Sequence, residues 1–321
     1  MAPCVPLLLA GPTAVGKSPV ALRLAEIFDG EILCVDSMQV YRGMDVGTAK
    51  PSPEDQRRVP HHLLDLVSPD QSFSAADFAR LALAAMADLE RRGKTAILCG
   101  GTGLYFKALI EGIGQGPPPN AGLRAELEAT PTPALLHELE EKDPVLLNTL
   151  DRDNRRRIIR AVEVIRLTGQ PFSAQRSPWK SAGGTGFGPH QFFGLDRFSA
   201  DLRQRIHDRV DQMFQNGLVA ETERLWKGGS GFRQTAAQAL GYRQVIDYLE
   251  NRGSLAETIA RVKVRTWQFA KRQRTWFRRQ ARLTWFELEP TESIESVAAR
   301  LAQAYQNTPA ATEASPDLAA Q

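Results

Sequence analysis

The chain has 321 residues, of which 42% are hydrophobic and 24% are charged, and its formal net charge at pH 7 is +3. This composition is typical of a globular protein and excludes a fibrous or wholly disordered chain. No stretch is long and apolar enough to cross a bilayer, and a structural motif already begins at Gly11. The sequence therefore predicts a cytoplasmic protein without a signal peptide and without a membrane partner.

Cysteine and histidine usage argues against a disulfide framework or a zinc site. The three cysteines, Cys4, Cys34 and Cys99, are few and scattered, and the last two lie in apolar strand-like runs. The adjacent His61 and His62 diverge in any regular structure, so a solvated or capping role is expected rather than a ligand pair.

Residues 11–18 carry the strongest motif of the chain, because they match the P-loop pattern G-x-x-x-x-G-K-[ST] between an apolar run and a helix-like segment. In such a loop, backbone N–H groups converge on an anion, the Lys adds charge and the Ser hydroxyl can ligate Mg²⁺. The alternative is a glycine-rich turn with a chance Lys-Ser pair. The motif predicts a diphosphate site formed by Gly11, Pro12, Thr13, Ala14, Val15, Gly16, Lys17 and Ser18, with Ser18 as metal ligand.

Asp36 ends a predicted buried strand at residues 31–37. Ligands of open α/β sheets bind beyond the carboxyl ends of the strands, which places Asp36 beside the phosphate site. Three roles stay open: a carboxylate that helps to hold Mg²⁺, a base for an acceptor substrate, or a turn residue. The irregular segment 38–51 is expected to be a binding loop, and a second glycine-rich junction at 100–103 follows a predicted strand at 95–99.

The proline run at 117–119 marks a change of composition. We predict an α/β fold, a P-loop NTPase-like parallel sheet flanked by helices, with an all-helical insertion and a helical C-terminal region. The predicted boundaries are a first core part at 1–116, a helical insertion at 117–190, a second core part at 191–305 and a disordered tail at 306–321. A glycine-rich return linker is expected at 183–186.

Basic residues are unevenly distributed. Residues 261–282 contain nine Lys or Arg and no acid, which indicates a polyanionic partner. A helix capped by Asp153 and closed by Gly169 is expected to bury Ile158 on one face and to carry arginines on the other, as a solvated face or as a nucleic-acid contact. A helix capped by Ser199 carries an arginine pair at 205 and 209, which is either a surface pair or aimed at a phosphate.

Six segments together resemble the ordered motif set of the tRNA dimethylallyltransferases, also called tRNA isopentenyltransferases. They are residues 11–18, 36–41 (DSMQVY), 47–51 (GTAKP), 100–105 (GGTGLY), 241–243 (GYR), and 271–273 (KRQ) with Trp276. The resemblance covers about residues 5–305. It implies transfer of a dimethylallyl group from dimethylallyl diphosphate to the exocyclic N6 amine of the adenine just 3′ of the anticodon, without nucleotide hydrolysis. Pro19 is unusual for the family, and the lack of a C-terminal zinc finger points to the bacterial type.

The resemblance also implies roles for particular residues. Asp36 would be the base, while Lys17, Ser18 with Mg²⁺ as cofactor, and Arg209 would neutralise the departing diphosphate. The protein would be a monomer that binds the anticodon stem-loop of tRNA. The implied tRNA contacts are Asp36, Ser37, Met38, Gln39, Thr102, Arg124, Arg156, Arg157, Ile158, Ile159, Arg160, Gln238, Ala239, Leu240, Gly241, Tyr242, Arg243, Lys271, Arg272, Gln273, Arg274, Thr275, Trp276, Phe277 and Arg278.

Two other functions remain as alternatives. A P-loop kinase of a small metabolite, with residues 117–189 as its lid, would share the P-loop and Asp36 but leaves the basic C-terminal helix unexplained. A nucleotide-dependent RNA-binding switch would need a second Walker-type acidic strand, and the sequence shows only the one that ends at Asp36.

Overall fold

A computed structural model describes residues 5–112, 116–175, 190–228, 232 and 234–307. The chain divides into two compact units, one from residues 1–109 with 186–321 and one from residues 110–185. The predicted boundaries of the insertion, 117 and 190, therefore lie a few residues later in the chain than this division. Cys4, the linker at 183–186 and residues 308–321 of the predicted tail lie outside the described residues.

The first unit is built on a six-stranded sheet in the order β3-β2-β4-β1-β5-β6, and every pairing is parallel. Strands β1, β2 and β4 are buried along their whole length, which is the pattern expected of a parallel sheet covered on both faces. The strands are β1 Leu7–Ala10, β2 Gly30–Val35, β3 His61–His62, β4 Thr95–Gly100, β5 Gln191–Arg197 and β6 Thr284–Leu288.

The helices of the described residues follow the predicted alternation with the strands. They are α1 Lys17–Ile27, α2 Pro53–Arg58, α3 Ala75–Arg91, α4 Gly103–Ile110, α5 Ala121–Ala129, α6 Thr132–Lys142, α7 Pro144–Leu147, α8 Arg155–Thr168, α9 Phe172–Gln175, α10 Ser199–Gln215, α11 Leu218–Lys227, α12 Gln234–Ala237, α13 Tyr242–Leu249, α14 Leu255–Gln280 and α15 Ile294–Asn307. In the described part of the chain, no helix is long and apolar enough to span a membrane.

Capping side chains explain where several helices begin. Ser254 caps α14 in a reciprocal arrangement with Glu257, as the sequence predicts for a helix starting near this residue. Two predicted caps are wrong. Asn154, not Asp153, accepts the N–H of Arg157 at the start of α8, and Ser199 is the first residue of α10 rather than its cap.

The regular secondary structure in the described residues of the second unit is helical, α5 to α9, and the unit has a core of its own. Ile158, Val162 and Ile165 of α8 are buried there, as their spacing predicts, against leucines of α5 to α7. Gly169 ends α8 with a φ of 69°, a conformation that favours glycine. The predicted helical face is therefore confirmed for this unit.

Strands β3 and β6 were not predicted from the sequence. Strand β3 has two residues, and β6 is exposed at two of its five positions, so neither shows a clear strand pattern. The strand alternation of β3 explains its histidines: His61 bonds the Val59 carbonyl, and His62 bonds Glu31 across the sheet. Both histidines are half-buried at the sheet edge and bond neighbouring groups of the protein.

Candidate active site

The P-loop connects β1 to α1 at the carboxyl edge of the sheet. A Cβ on Gly11 would lie 2.5 Å from the Leu195 carbonyl oxygen, so only glycine allows this approach of the loop to β5. Gly16 has a φ of 109°, and α1 begins directly after it at Lys17. Pro19 lies in the first turn of α1, where the missing N–H leaves no helical bond unmade. The backbone has the form that an anion-binding loop requires.

Lys17 folds back on the loop. Its Nζ donates to the carbonyl oxygens of Gly11 at 2.9 Å and Pro12 at 2.8 Å. Loss of solvent lowers the pKa of Lys17 to about 8, and the nearby Arg209 lowers it as well. Carbonyl oxygens are weaker partners for an ammonium than a phosphate oxygen. A diphosphate would therefore stabilise the charged form of Lys17.

Three arginines of β5 and α10 line one side of the P-loop. The Nε of Arg197 donates to the Val15 carbonyl at 2.8 Å, the Nε of Arg205 donates to the Ala14 carbonyl at 3.0 Å, and the Nη1 of Arg209 donates to the Thr13 hydroxyl at 3.2 Å. Burial, and then the charge of Arg205, lowers the pKa of Arg209. This clustering of cations is costly without an anion. The arginine pair at 205 and 209 is thus aimed at the phosphate loop.

Arg197 was missed by sequence reasoning. It is buried, and its Nη1 pairs with Asp201 at 2.8 Å. The available signal was its position at the end of a strand, beyond which ligands of such sheets bind.

Asp36 follows β2 and is half-buried. Its Oδ1 accepts the backbone N–H of Met38 at 2.8 Å and of Gln39 at 3.3 Å. The next residue, Ser37, donates its N–H to the Thr102 hydroxyl at 3.0 Å, which ties the loop after β2 to the second glycine-rich junction. The ends of these two neighbouring strands therefore meet at the carboxyl edge of the sheet.

A cavity of about 90 Å³ joins these groups. Its walls are of two kinds. The polar residues include Thr13, Lys17, Ser18, Asp36, Gln39 and Arg209, and the apolar or weakly polar ones include Ala21, Ile32, Cys34, Cys99 and Phe269. Burial raises the pKa of Cys99 to about 11 and that of Cys34 as well, so both thiols are neutral near pH 7. The cavity suits a ligand with an anionic head and an apolar tail.

Gln273 of α14 closes the cavity between the two glycine-rich loops. Its Oε1 accepts the N–H of Thr13 at 2.8 Å, and its Nε2 donates to the Gly101 carbonyl at 2.9 Å. The side chain is buried, with 7% of the residue exposed. Gln273 was predicted to contact tRNA, but both ends of its amide are used inside the protein. Its structural position supports the P-loop instead.

Other predicted tRNA contacts are also buried, and their side chains cannot reach an RNA in this conformation. The nearly inaccessible ones are Ile158, Ile159, Ala239, Tyr242 and Phe277. These side chains pack in the cores of the two units. The segments that contain them are mostly helical, and one face of each helix is turned toward the core. The predicted contacts that are exposed in the first unit include Gln238, Arg243, Lys271, Arg272, Thr275 and Arg278.

Among the basic residues of α14 that the resemblance implies as tRNA contacts, Arg274 is paired inside the protein. Its Nη2 lies 2.7 Å from the Oδ1 of buried Asp196 and its side chain is only 19% exposed. Arg278 pairs with the other oxygen of Asp196 at 2.8 Å but keeps 60% of its side chain exposed. The segment lacks acids in sequence, yet β5 supplies one in space.

The arginines of the second unit also divide into internally paired and exposed residues. Arg124 and Arg160 both bond the buried carboxylate of Glu163, and Arg160 also donates to the Pro117 carbonyl. Arg156 and Arg157 are exposed. Within this unit, two of the predicted RNA contacts therefore hold its own fold together.

Comparisons with known proteins agree with this arrangement. The family model described as IPP transferase matches residues 39–280. The chain is 43% identical over 300 residues to tRNA dimethylallyltransferase 2 of Geotalea uraniireducens, covering 91% of this chain and 93% of the relative. It is 46% identical over 278 residues to tRNA dimethylallyltransferase 1 of Trichlorobacter lovleyi, covering 85% and 90%.

Solved structures show the same fold. The full-length tRNA isopentenylpyrophosphate transferase of Bacillus halodurans matches with a TM-score of 0.67 and 37% identity, over 94% of this chain and 97% of the other. A eukaryotic dimethylallyltransferase, described as acting on tRNA, matches with a TM-score of 0.78 and 25% identity, over 96% and 81%.

Proposed function

The chain belongs to the tRNA dimethylallyltransferase family, and we propose that it transfers the dimethylallyl group of dimethylallyl diphosphate to the exocyclic N6 amine of the adenine just 3′ of the anticodon. The observation that carries this proposal is that one cavity joins the P-loop, Asp36 and an apolar wall. The kinase alternative is not favoured, since the relatives are prenyltransferases by name.

The diphosphate of the donor binds the P-loop N–H groups, with Lys17 and Arg209 beside it. Both side chains are already shielded from solvent in the protein without ligand, and this burial lowers the pKa of each. Negative charge grows on the diphosphate as the allylic C–O bond breaks, so these cations stabilise the transition state more than the ground state. The apolar wall of the cavity receives the five-carbon chain.

Asp36 is the proposed base. The N6 amine attacks the allylic carbon, a C–N bond forms, the C–O bond to the diphosphate breaks and a proton leaves the nitrogen. Two backbone N–H groups hold Oδ1 of Asp36 and fix the direction of the carboxylate. The target base has to leave its stack to reach this carboxylate.

Mg²⁺ is the proposed cofactor, and the residues present fit it. Ser18, at the start of α1, lines the cavity and would offer its hydroxyl oxygen to the ion. Mg²⁺ is normally bound by one or two protein oxygens together with substrate phosphates and water. Among the described residues, no cluster of three or more His, Cys, Asp or Glu forms a cage for a metal. When bound, the ion would neutralise charge on the diphosphate.

The exposed basic residues of α14 and the 36–39 segment are the proposed tRNA contacts of the first unit, together with Thr102, Gln238 and Arg243. Lys271 and Arg272 are exposed on α14 directly beside the buried Gln273. Contacts of this type fix an RNA in position through its phosphates and carry no sequence information. The exposed Arg156 and Arg157 of the second unit are proposed contacts as well.

The test is transfer of radiolabel from dimethylallyl diphosphate to unmodified tRNA with Mg²⁺ present and ATP absent. We expect acid-insoluble label in the tRNA and inorganic diphosphate in solution. A parallel reaction with ATP should show no ATP consumption. Phosphate release from ATP that follows turnover, or no label in tRNA, would contradict the proposal.

A further inference from the structure

A buried carboxylate from outside the cavity holds the 38–51 loop in place. Glu221 of α11 accepts three consecutive backbone N–H groups of this loop. The distances are 3.0 Å from Asp45, 2.9 and 3.1 Å from Val46 to the two carboxylate oxygens, and 3.2 Å from Gly47. Consecutive N–H groups of this kind form a small anion-binding concavity. Here the protein fills that concavity itself.

Tyr242 completes the set of donors to this carboxylate. Its hydroxyl donates to Oε1 of Glu221 at 2.6 Å, and the tyrosine is fully buried. Burial, and then the Glu221 charge, raises the pKa of Tyr242 far above its usual value, so the phenol keeps its proton. A carboxylate offers about four acceptor positions. Glu221 is therefore saturated and has no acceptor left for a substrate.

The loop also packs directly on the Tyr242 ring. A Cβ on Gly47 would come within 2.4 Å of the ring carbon Cε2 of Tyr242. Real side chains do not tolerate such a contact, so any residue other than glycine would push the loop away from the ring. The carboxylate, the phenol and the glycine together set where the loop lies.

A chain of hydrogen bonds leads from this anchor to Asp36. The side-chain Nε2 of Gln39 donates to the carbonyls of Thr48 at 3.1 Å and Ala49 at 3.2 Å, directly after the anchored N–H groups. The backbone N–H of the same Gln39 donates to Oδ1 of Asp36. Gln39, Thr48 and Ala49 also line the cavity. A shift at residues 45–47 is thus passed on to the wall of the site and to its carboxylate.

We propose that Glu221, assisted by Tyr242, is a positioning residue for the transfer step, which it serves by holding the 38–51 loop and through it Asp36. The inference rests on the proposed function, in which Asp36 takes the proton of the attacking amine. Glu221 itself has no acceptor left for a substrate, so we expect its loss to act through the position of the loop and to lower the rate of transfer at saturating substrates more than it weakens substrate binding. Tyr242 acquires a role in holding the loop in place of the RNA contact expected from its motif.

The test compares Glu221→Gln with Glu223→Gln. The first replaces a carboxylate oxygen by an amide N–H₂ that faces backbone donors, whereas Glu223 on the same helix is 43% exposed and pairs with Lys227. We expect Glu221→Gln to lower the single-turnover rate at saturating tRNA and donor about 10- to 100-fold, as displacement by about 1 Å does elsewhere. Affinity for tRNA should fall by a smaller factor than the rate, and Glu223→Gln should match the unmodified protein.

Coupling to Asp36 separates positioning from a merely structural effect. If Glu221 acts through Asp36, Glu221→Gln adds little further loss in an Asp36→Ala background. In the Glu221→Gln single variant, amide hydrogen exchange at residues 45–47 should be faster than in the unmodified protein. In Glu223→Gln it should stay as slow as in the unmodified protein. An unchanged transfer rate with unchanged exchange, or full additivity with Asp36→Ala, would overturn the proposal.

A second variant covers the possibility that Glu221→Gln does not fold. Tyr242→Phe keeps the ring against Gly47 and removes one donor, and we expect a rate loss of about 3- to 10-fold, about the worth of one hydrogen bond. A rate equal to that of the unmodified protein would then overturn the role of Tyr242 and Glu221. If the unmodified protein transfers no label, the proposed function fails, and the exchange at residues 45–47 alone decides whether Glu221 holds the loop.

Discussion

The P-loop and the basic helix α14 differ in how their charged groups are used. Around the P-loop, Arg197, Arg205 and Arg209 converge on one short segment and two of them bond its carbonyls, so the cations are concentrated at the proposed anion site, although Arg197 also pairs with Asp201. On α14 the cations separate into two groups. Arg274 and Lys263 pair with acids of β5 and α10, whereas Lys271 and Arg272 are exposed.

The difference shows that a local motif can locate a binding site, whereas a charge count cannot tell which charges are available to a partner. A P-loop is defined by its own backbone, so eight consecutive residues suffice to locate it. A run of basic residues on a helix gives the sum of its charges, but the acids that neutralise some of them come from distant parts of the chain. Each prediction below tests one side of this contrast.

The largest expected effect is at Asp36. Replacing it with Ala should lower turnover by about 10² to 10⁴, the usual contribution of a positioned base, because the attacking amine then loses its proton only to water. Affinity for tRNA should remain nearly intact. Single-turnover transfer at saturating substrates, with a filter-binding assay for tRNA, measures both quantities.

A Glu54→Ala variant is the control, since Glu54 is an exposed carboxylate in the first turn of α2, shortly after the 38–51 loop. Loss of tRNA affinity with turnover preserved at saturation would show that Asp36 positions the RNA and is not the base.

Gln273 tests whether α14 belongs to the phosphate site. In Gln273→Ala, the N–H of Thr13 and the carbonyl of Gly101 both lose a buried partner. Each unsatisfied group costs about 1–3 kcal/mol. We expect the KM for dimethylallyl diphosphate to rise about 10-fold or more by the same reasoning. The exposed Gln280 of the same helix serves as control, and a KM equal in both variants would contradict the role.

The sequence predicted most of the core fold because its signals are local. The P-loop, the buried strands predicted at 31–37 and 95–99 and found at 30–35 and 95–100, and the capped start of α14 each depend on neighbouring residues only. The position of Asp36 also followed from the rule for parallel sheets.

What the sequence could not supply depends on distant partners. Glu221 sits in an unremarkable helix, and only the fold brings it to the N–H groups of residues 45–47. Arg274 looks like its exposed neighbours until Asp196 is placed beside it. Tyr242 and Gln273 were found through motifs, but their burial gives them roles inside the protein.

Dividing the basic residues of α14 should sharpen the comparison further. Arg274→Ala removes a partner of buried Asp196, and we expect the free energy of unfolding to fall by about 1–3 kcal/mol. The pair Lys271→Ala and Arg272→Ala should change it by less than about 0.5 kcal/mol, because both side chains are exposed. Urea denaturation measures each value.

For tRNA affinity we expect the opposite ranking of the two variants, with the larger loss in the Lys271 and Arg272 variant and the smaller loss in Arg274→Ala. The Lys271 and Arg272 variant should lose affinity about 3- to 10-fold and flatten the dependence on salt, since each lost phosphate contact reduces the number of released counterions. The loss should be similar for good and poor tRNA substrates. An unchanged salt slope would show that the exposed cations only solvate the helix.

The smallest expected effect is a proton taken up at Lys17 when the donor binds. Its pKa in the free protein is lowered from 10.5 to about 8. Between these two pH values the unfolded chain binds more protons than the folded one, so this group makes the folded protein more stable as pH rises from 8 to 10.5.

A bound diphosphate restores the charge of Lys17 and raises its pKa. At about pH 9, binding should therefore take up roughly half to one proton, and at about pH 7 only a small fraction of one. Calorimetric titration with dimethylallyl diphosphate in buffers of different ionisation enthalpy measures this number. In Lys17→Arg the guanidinium stays charged at every pH, so uptake should vanish while any remaining binding persists. Equal uptake in both proteins would assign the proton to another group.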